Sequence, residues 1–174
     1  MPDSLFSAVC QFAPVGLMVL DSNARVVLIN SFLKSMLSLS PNGYKGKLFG
    51  HALSCASVAG AGQLCGNTPA CSSCCLRRGI AGVLKHDRPV QYATLHHAFT
   101  IDGMQVLKTM RFSASAVSLK HGKKCVLVWL ADITRELQYE RILARELDMD
   151  AVPDIVSPQN LIGIVTELMQ KSGR

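Results

Sequence analysis

The feature that most constrains this chain lies in its second half, where three long runs rich in β-branched and aromatic residues follow one another almost without pause. They are "VQYATLHHAFTI" (90–101), "MQVLKTMRFSASAVSL" (104–119) and "KCVLVWLADI" (124–133). Asp102-Gly103 joins the first two, and "KHGK" (120–123) joins the second to the third. Links this short are hairpin turns, so the three runs read as an antiparallel meander.

The first half supplies the rest of a sheet. "GLMVLD" (16–21) and "VVLIN" (26–30) flank the turn residues Asp21-Ser22-Asn23 and predict a hairpin. Leu5, Val9 and Phe12 recur at helical spacing ahead of it, with Asp3 or Ser4 as cap, until Pro14 and Gly16 end the helix. "SFLKSMLSLS" (31–40) predicts a short helix with Phe32, Met36 and Leu39 on its inner face, closed by Pro41-Asn42-Gly43. Residues 44–69 dissolve into Gly, Ala, Ser and Cys and read as mostly loop. Leu76, Ile80 and Leu84 then place a helix over 74–87. Two strands, helices and three more strands make an α+β domain with a five-stranded antiparallel sheet over residues 1–134.

Composition narrows the function. The 174 residues are enough to bury a core, and only 17% are charged, so a globular chain is expected. The apolar run "CVLVWLA" (125–131) is too short to span a bilayer, and the N-terminus lacks the basic-then-apolar order of a secretion signal. A cytoplasmic protein without a membrane anchor is expected. The basic groups Arg77–Arg78 and "KHGKK" (120–124) are not interleaved with aromatics, so no nucleic-acid surface is expected. No Ser/His/Asp set or carboxylate pair stands out to carry catalysis, so no enzyme is expected.

The order of elements resembles the PAS domain, and particular residues carry the likeness. "FAPVGLMVLDSNARVVLIN" looks like the entry helix, first hairpin and terminal Asn of PAS sensors, and "VLVWLADIT" like the closing strand with its Asp-Ile-Thr exit. The resemblance covers residues 3–134 and implies a PAS-like sheet with helices on one face. Residues 135–174 form a helical extension in this reading. "RELQYERILARELD" (135–148) carries the apolar stripe Tyr139, Ile142, Leu143 and Leu147, which resembles the connector helix that pairs PAS sensors as homodimers. "SPQNLIGIVTELMQK" (157–171) predicts a second helix, capped by Ser157. No histidine follows His121, so a self-phosphorylating kinase helix is excluded for these residues.

The remaining signal is sulfur. Five of the seven cysteines fall between positions 55 and 75. Cys55, Cys65, Cys71 and Cys74 lie on one loop, where thiolates from separate turns can surround a compact ion or cluster. The Cys-x-x-Cys step at 71–74 suits zinc and iron–sulfur sites alike, and the spacing as a whole matches neither ferredoxin pattern. The helix start near Cys74 favours thiolate through its unpaired N–H groups. Gly66 gives the backbone room to aim an N–H at sulfur, and Arg77 and Arg78 stand ready to offset negative charge. Cys10 and Cys125 lie among apolar neighbours and read as small core residues. His86, near a helix end, is the only candidate for a haem ligand, and His96–His97 point to opposite faces of a strand.

"CGNTPACSSC", with an upstream Cys and a following helix, resembles a cysteine-rich subgroup of PAS domains in bacterial signalling proteins. That resemblance implies an iron–sulfur cluster, four-iron by type, held by Cys55, Cys65, Cys71 and Cys74. Cys75 stands where the subgroup has Gly and is the alternative to Cys74. The expected function is a sensor of redox state, oxygen or nitric oxide, passing its state through helix 74–87 and the 135–148 helix to a downstream signalling partner. A zinc-braced interaction module and a metal-free thiol switch are the alternatives.

Overall fold

The computed structural model describes residue 8 and residues 12–58, 62–118 and 123–146. Most of the entry helix, Cys10, the 119–122 turn and the 157–171 helix lie outside the described residues. The chain divides between Thr134 and Arg135 into two units.

In the first unit, β1 (Gly16–Leu20) and β2 (Val26–Ile29) form the expected hairpin, and β3 (Val90–Ile101), β4 (Met104–Ser118) and β5 (Lys124–Asp132) form the meander. All pairings are antiparallel and the order is β2-β1-β5-β4-β3, so β5 returns beside β1 and joins the two halves. Asp102 and Gly103 both have positive φ (49° and 80°), the two-residue turn whose twist matches its strands.

The helices are α1 (Ser31–Met36), α2 (Phe49–Ala52), a 3-10 turn (Ala56–Val58), α3 (Pro69–Ser73) and α4 (Cys75–His86). Strand alternation sends Met18, Leu20, Met110, Phe112, Val126, Val128 and Leu130 to one core, where Leu33, Leu37, Phe49, Leu76, Ile80 and Val83 meet them. Of the expected face of 31–40, Leu39 is buried and Met36 packs against the core, but Phe32 is corrected: it is 41% exposed, and Leu33 and Leu37 are buried with Leu39. The stretch 44–69 is mostly loop, as expected, with α2, the 3-10 turn and the first residue of α3 as its short helical pieces.

Two polar knots fix the ends of the sheet. Asn30 is buried, and its Oδ1 accepts from the N–H of Leu17 and of Leu33, at 2.9 and 3.0 Å, while its Nδ2 donates to Val15 O at 2.8 Å. One side chain thus caps α1 and joins it to the start of β1. At the far end of β5, Asp132 accepts from Lys108 Nζ and from the N–H and hydroxyl of Thr134, while Thr134 Oγ1 accepts from Thr109 N–H at 2.9 Å. The Asp-Ile-Thr exit is thereby bolted to β4.

The described part of the second unit is residues 135–146, all but the first residue of α5 (Thr134–Glu146), on which Tyr139, Ile142 and Leu143 are exposed. Among the described residues no helix is long and apolar enough to cross a membrane.

Candidate functional site: a cavity ringed by cysteines

The segment 49–77 runs from α2 to the first turn of α4 and closes over the face of β3. Cys55 follows α2 and forms an isolated antiparallel bridge with Phe99 on β3, and Thr100 N–H donates to Ser54 O at 2.7 Å. Cys65 is placed by a close approach. Its Sγ lies where Gly50 has no side chain, and a Cβ added there would come within 2.6 Å of that sulfur. Cys71 lies within α3, which opens on Pro69, the position where a missing N–H costs nothing. Cys74 is the N-cap of α4 and Cys75 its first residue.

Cys55, Cys65, Cys71 and Cys74 line one cavity, together with Arg77, His97 and apolar walls that include Phe49, Leu76 and Phe99. Cys75 does not line it. Its thiol donates to Thr94 O on β3 at 3.2 Å, so adjacent cysteines are sent to different places. Arg77 lines the cavity and donates to Cys65 O at 3.2 Å, with the Cys65 sulfur 3.7 Å away. Arg78 is exposed and faces the groove outside. Gly66 has φ of +109°, its N–H donates to Cys71 Sγ at 3.1 Å, and a Cβ there would strike the Arg77 guanidinium.

The sulfurs have unlike surroundings. Burial pushes the Cys55 thiol up, against hydrogen bonds from Ser57, and burial likewise raises Cys65, against Gly50 and Arg77. Burial also works to raise Cys71, but hydrogen bonds from Thr68 and Gly66 and the charge of Arg77 outweigh it and hold the thiol below its ordinary value. Burial, with Cys74 beside it, raises Cys75. Cys71 and Cys74 also raise Cys55, and Cys71 raises Cys65, as like charges do at close range.

Sequence reasoning missed three contributors. His97 Nε2 lies 2.9 Å from Cys55 Sγ, His51 Nε2 accepts from Cys65 N–H at 3.3 Å, and Gly50 makes space for Cys65. Strand alternation did separate the paired histidines, since His96 is exposed and bonded to Thr109. His86 is exposed at the end of α4 and lines neither of these spaces, and Cys125 is buried.

Four thiols, no carboxylate and a mostly apolar wall suit a thiophilic centre, and Arg77 offsets the charge that thiolates bring. The free space is about 20 Å³, near that of one water, so a cluster fits only if the thiols turn outward from these positions. Among the described residues no group of three or more His, Cys, Asp or Glu could hold a single metal ion.

The fold is that of a PAS domain. The PAS domain of a protein from Colwellia psychrerythraea matches over 78% of this chain and 99% of its own, with a TM-score of 0.54 and 8% identity. The PAS domain of nitrogen regulation protein NR(II) from Vibrio parahaemolyticus matches over 74% of this chain and 98% of its own, with a TM-score of 0.50 and 15% identity. An RNA-binding light-oxygen-voltage receptor matches over 84% of this chain and 37% of its own, with a TM-score of 0.55 and 14% identity. At such identities the likeness is one of fold. No family model and no curated protein matches the sequence.

Proposed function

We propose that this chain is a cytoplasmic sensory PAS module that holds an iron–sulfur cluster, four-iron in type, through Cys55, Cys65, Cys71 and Cys74. The observation that carries this reading is that these four thiols, drawn from three separate turns, line one cavity while Cys75 turns away from it. Bound there, the cluster supplies an electron couple and a target for oxygen or nitric oxide. Gly66 N–H and the Thr68 hydroxyl hold Cys71, and Arg77 lies beside Cys65, so the loop's own donors steady the sulfurs and offset their charge. The apolar wall limits water.

Residues 55–77 touch β3 through Cys55 and lead directly into α4, so a change in how the thiols are held reaches both the sheet and that helix. The exposed stripe Tyr139, Ile142 and Leu143 is the surface by which α5 pairs with a second copy, and a downstream signalling protein reads the state of that pair.

Purification without air, with iron and acid-labile sulfide assays and a visible spectrum, tests the reading. Brown protein with about four iron and four sulfide per chain is expected, bleached by Cys65→Ser. Colourless protein carrying stoichiometric zinc overturns it.

A further inference from the structure

We infer, on the iron–sulfur reading of the pocket, that His97 is a positioning residue for Cys55, holding that sulfur at the cavity and so setting how firmly the site keeps its iron. The pleat of β3 puts residues 95, 97 and 99 on one face, and Leu95 and Phe99 are buried on either side of His97. The imidazole stands edge-on to the Phe99 ring, with centroids 5.5 Å apart and planes at 74°. That contact orients Nε2 toward Cys55 Sγ at 2.9 Å. Among the described residues Cys55 is the imidazole's only hydrogen-bond partner.

The cysteine is fixed by the same strand. Its backbone bridges Phe99, and the preceding carbonyl accepts from Thr100. Thiol and imidazole are thus brought together by two independent constraints on β3, one on each chain segment. A metal-bound thiolate only accepts hydrogen bonds, so for the contact to persist as the thiols turn to admit the cluster, Nε2 would carry the hydrogen. Such a bond fixes the ligand's orientation and draws charge from its sulfur. Cys71 takes its donors from the loop, at Gly66 and Thr68, and Cys65 has Arg77 from α4. Cys55 has Ser57 from the loop and, alone of the three, a side-chain partner on the sheet as well.

The test compares wild type with His97→Leu and His97→Gln, each loaded with ferrous iron and sulfide in the absence of air. Release of iron to a chelator and the electron paramagnetic resonance spectrum of the reduced protein are recorded. Thermal melting of the metal-free proteins is recorded beside them. His97→Leu is expected to release iron about tenfold faster and to change the spectrum. His97→Gln, whose amide N–H reaches the same place, stays within about twofold of wild type, and metal-free melting is unchanged. Where the Leu variant does not fold, His97→Asn takes its place, polar but too short to reach Cys55.

Equal release from all variants overturns the role of His97 and leaves the cluster reading intact. Release that rises only in step with lost melting temperature also overturns it, since packing alone then explains the contact. Wild type that takes up no iron and sulfide overturns both.

Discussion

Asn30 and the cavity cysteines are both polar groups taken out of water, and their neighbours treat them differently. Asn30 commits both its amide oxygen and its nitrogen to main-chain partners, each within 3.0 Å, and what it holds is the chain. The sulfurs of Cys55, Cys65 and Cys71 have donors around them, yet with Cys74 they still turn toward a shared space. A buried group with every bond satisfied stabilises a fold, whereas buried groups left facing one another are a place for something to bind. The contrast separates what this domain needs to exist from what it needs to act.

The largest effect that tests the contrast falls on the knot. Asn30→Ala strips one buried and one half-buried N–H of their acceptor and is expected to cost about 3 kcal/mol, read as a lower denaturant midpoint. Thiol reactivity in the folded protein stays unchanged. A loss under about 1 kcal/mol shows that water replaces the amide and that the knot is not structural.

Next comes Gly50→Ala, where the new methyl meets Cys65 Sγ. Overpacking of this kind costs about 2 kcal/mol, and most of the bound iron should go with it. Gly82→Ala on α4 is the matched control, because a Cβ there meets nothing within 4 Å. It should stabilise by about 0.5 kcal/mol through helix propensity and leave iron content alone.

A smaller effect follows acid. Burial works to raise Asp132, but hydrogen bonds from Lys108 and Thr134 outweigh it and hold the carboxyl below its ordinary value. A depressed folded value means that its stabilisation is fully present above the unfolded value of about 3.9 and is lost as pH falls through the folded value. Asp132→Asn should therefore flatten the fall in stability below about pH 4 and cost about 1 kcal/mol at pH 7, measured by denaturant titration across pH. An unchanged acid limb breaks the assignment.

Smallest is Cys75→Ser, expected to shift stability by less than about 0.5 kcal/mol and to leave iron uptake intact. Cys74→Ser, one residue away, should abolish most of that uptake. Equal effects from the two would erase the distinction between cavity-facing and strand-facing sulfur.

The frame was legible because its signals are local. Asp102-Gly103 states its turn in two residues, Asn30 stands one place before the helix it caps, and alternation along β5 sorts Val126, Val128 and Leu130 from their neighbours. The short helices α2 and α3 were not legible, since four or five residues complete barely one turn and show no period. On α1 the expected set held at Leu39, which is buried, and at Met36, which packs against the core, and failed at Phe32, because six residues carry too little period to sort every position. In the site, the family resemblance implied Cys55, Cys65, Cys71 and Cys74, with Cys75 as the alternative to Cys74, and the first four are the ones that line the cavity. His97, 42 positions from Cys55, is joined to it only by the way β3 returns under the loop, and no pattern along the chain encodes that meeting.

The bridge between Cys55 and Phe99 has an effect on solubility. Because β3 is the last strand on its side, its outer row of amide groups is what another polypeptide would pair with, and the loop beside Cys55 covers part of it. A molecule whose loop lets go therefore does more than lose a contact. It bares an adhesive margin, so clumping is expected wherever damage at the sulfurs frees the loop.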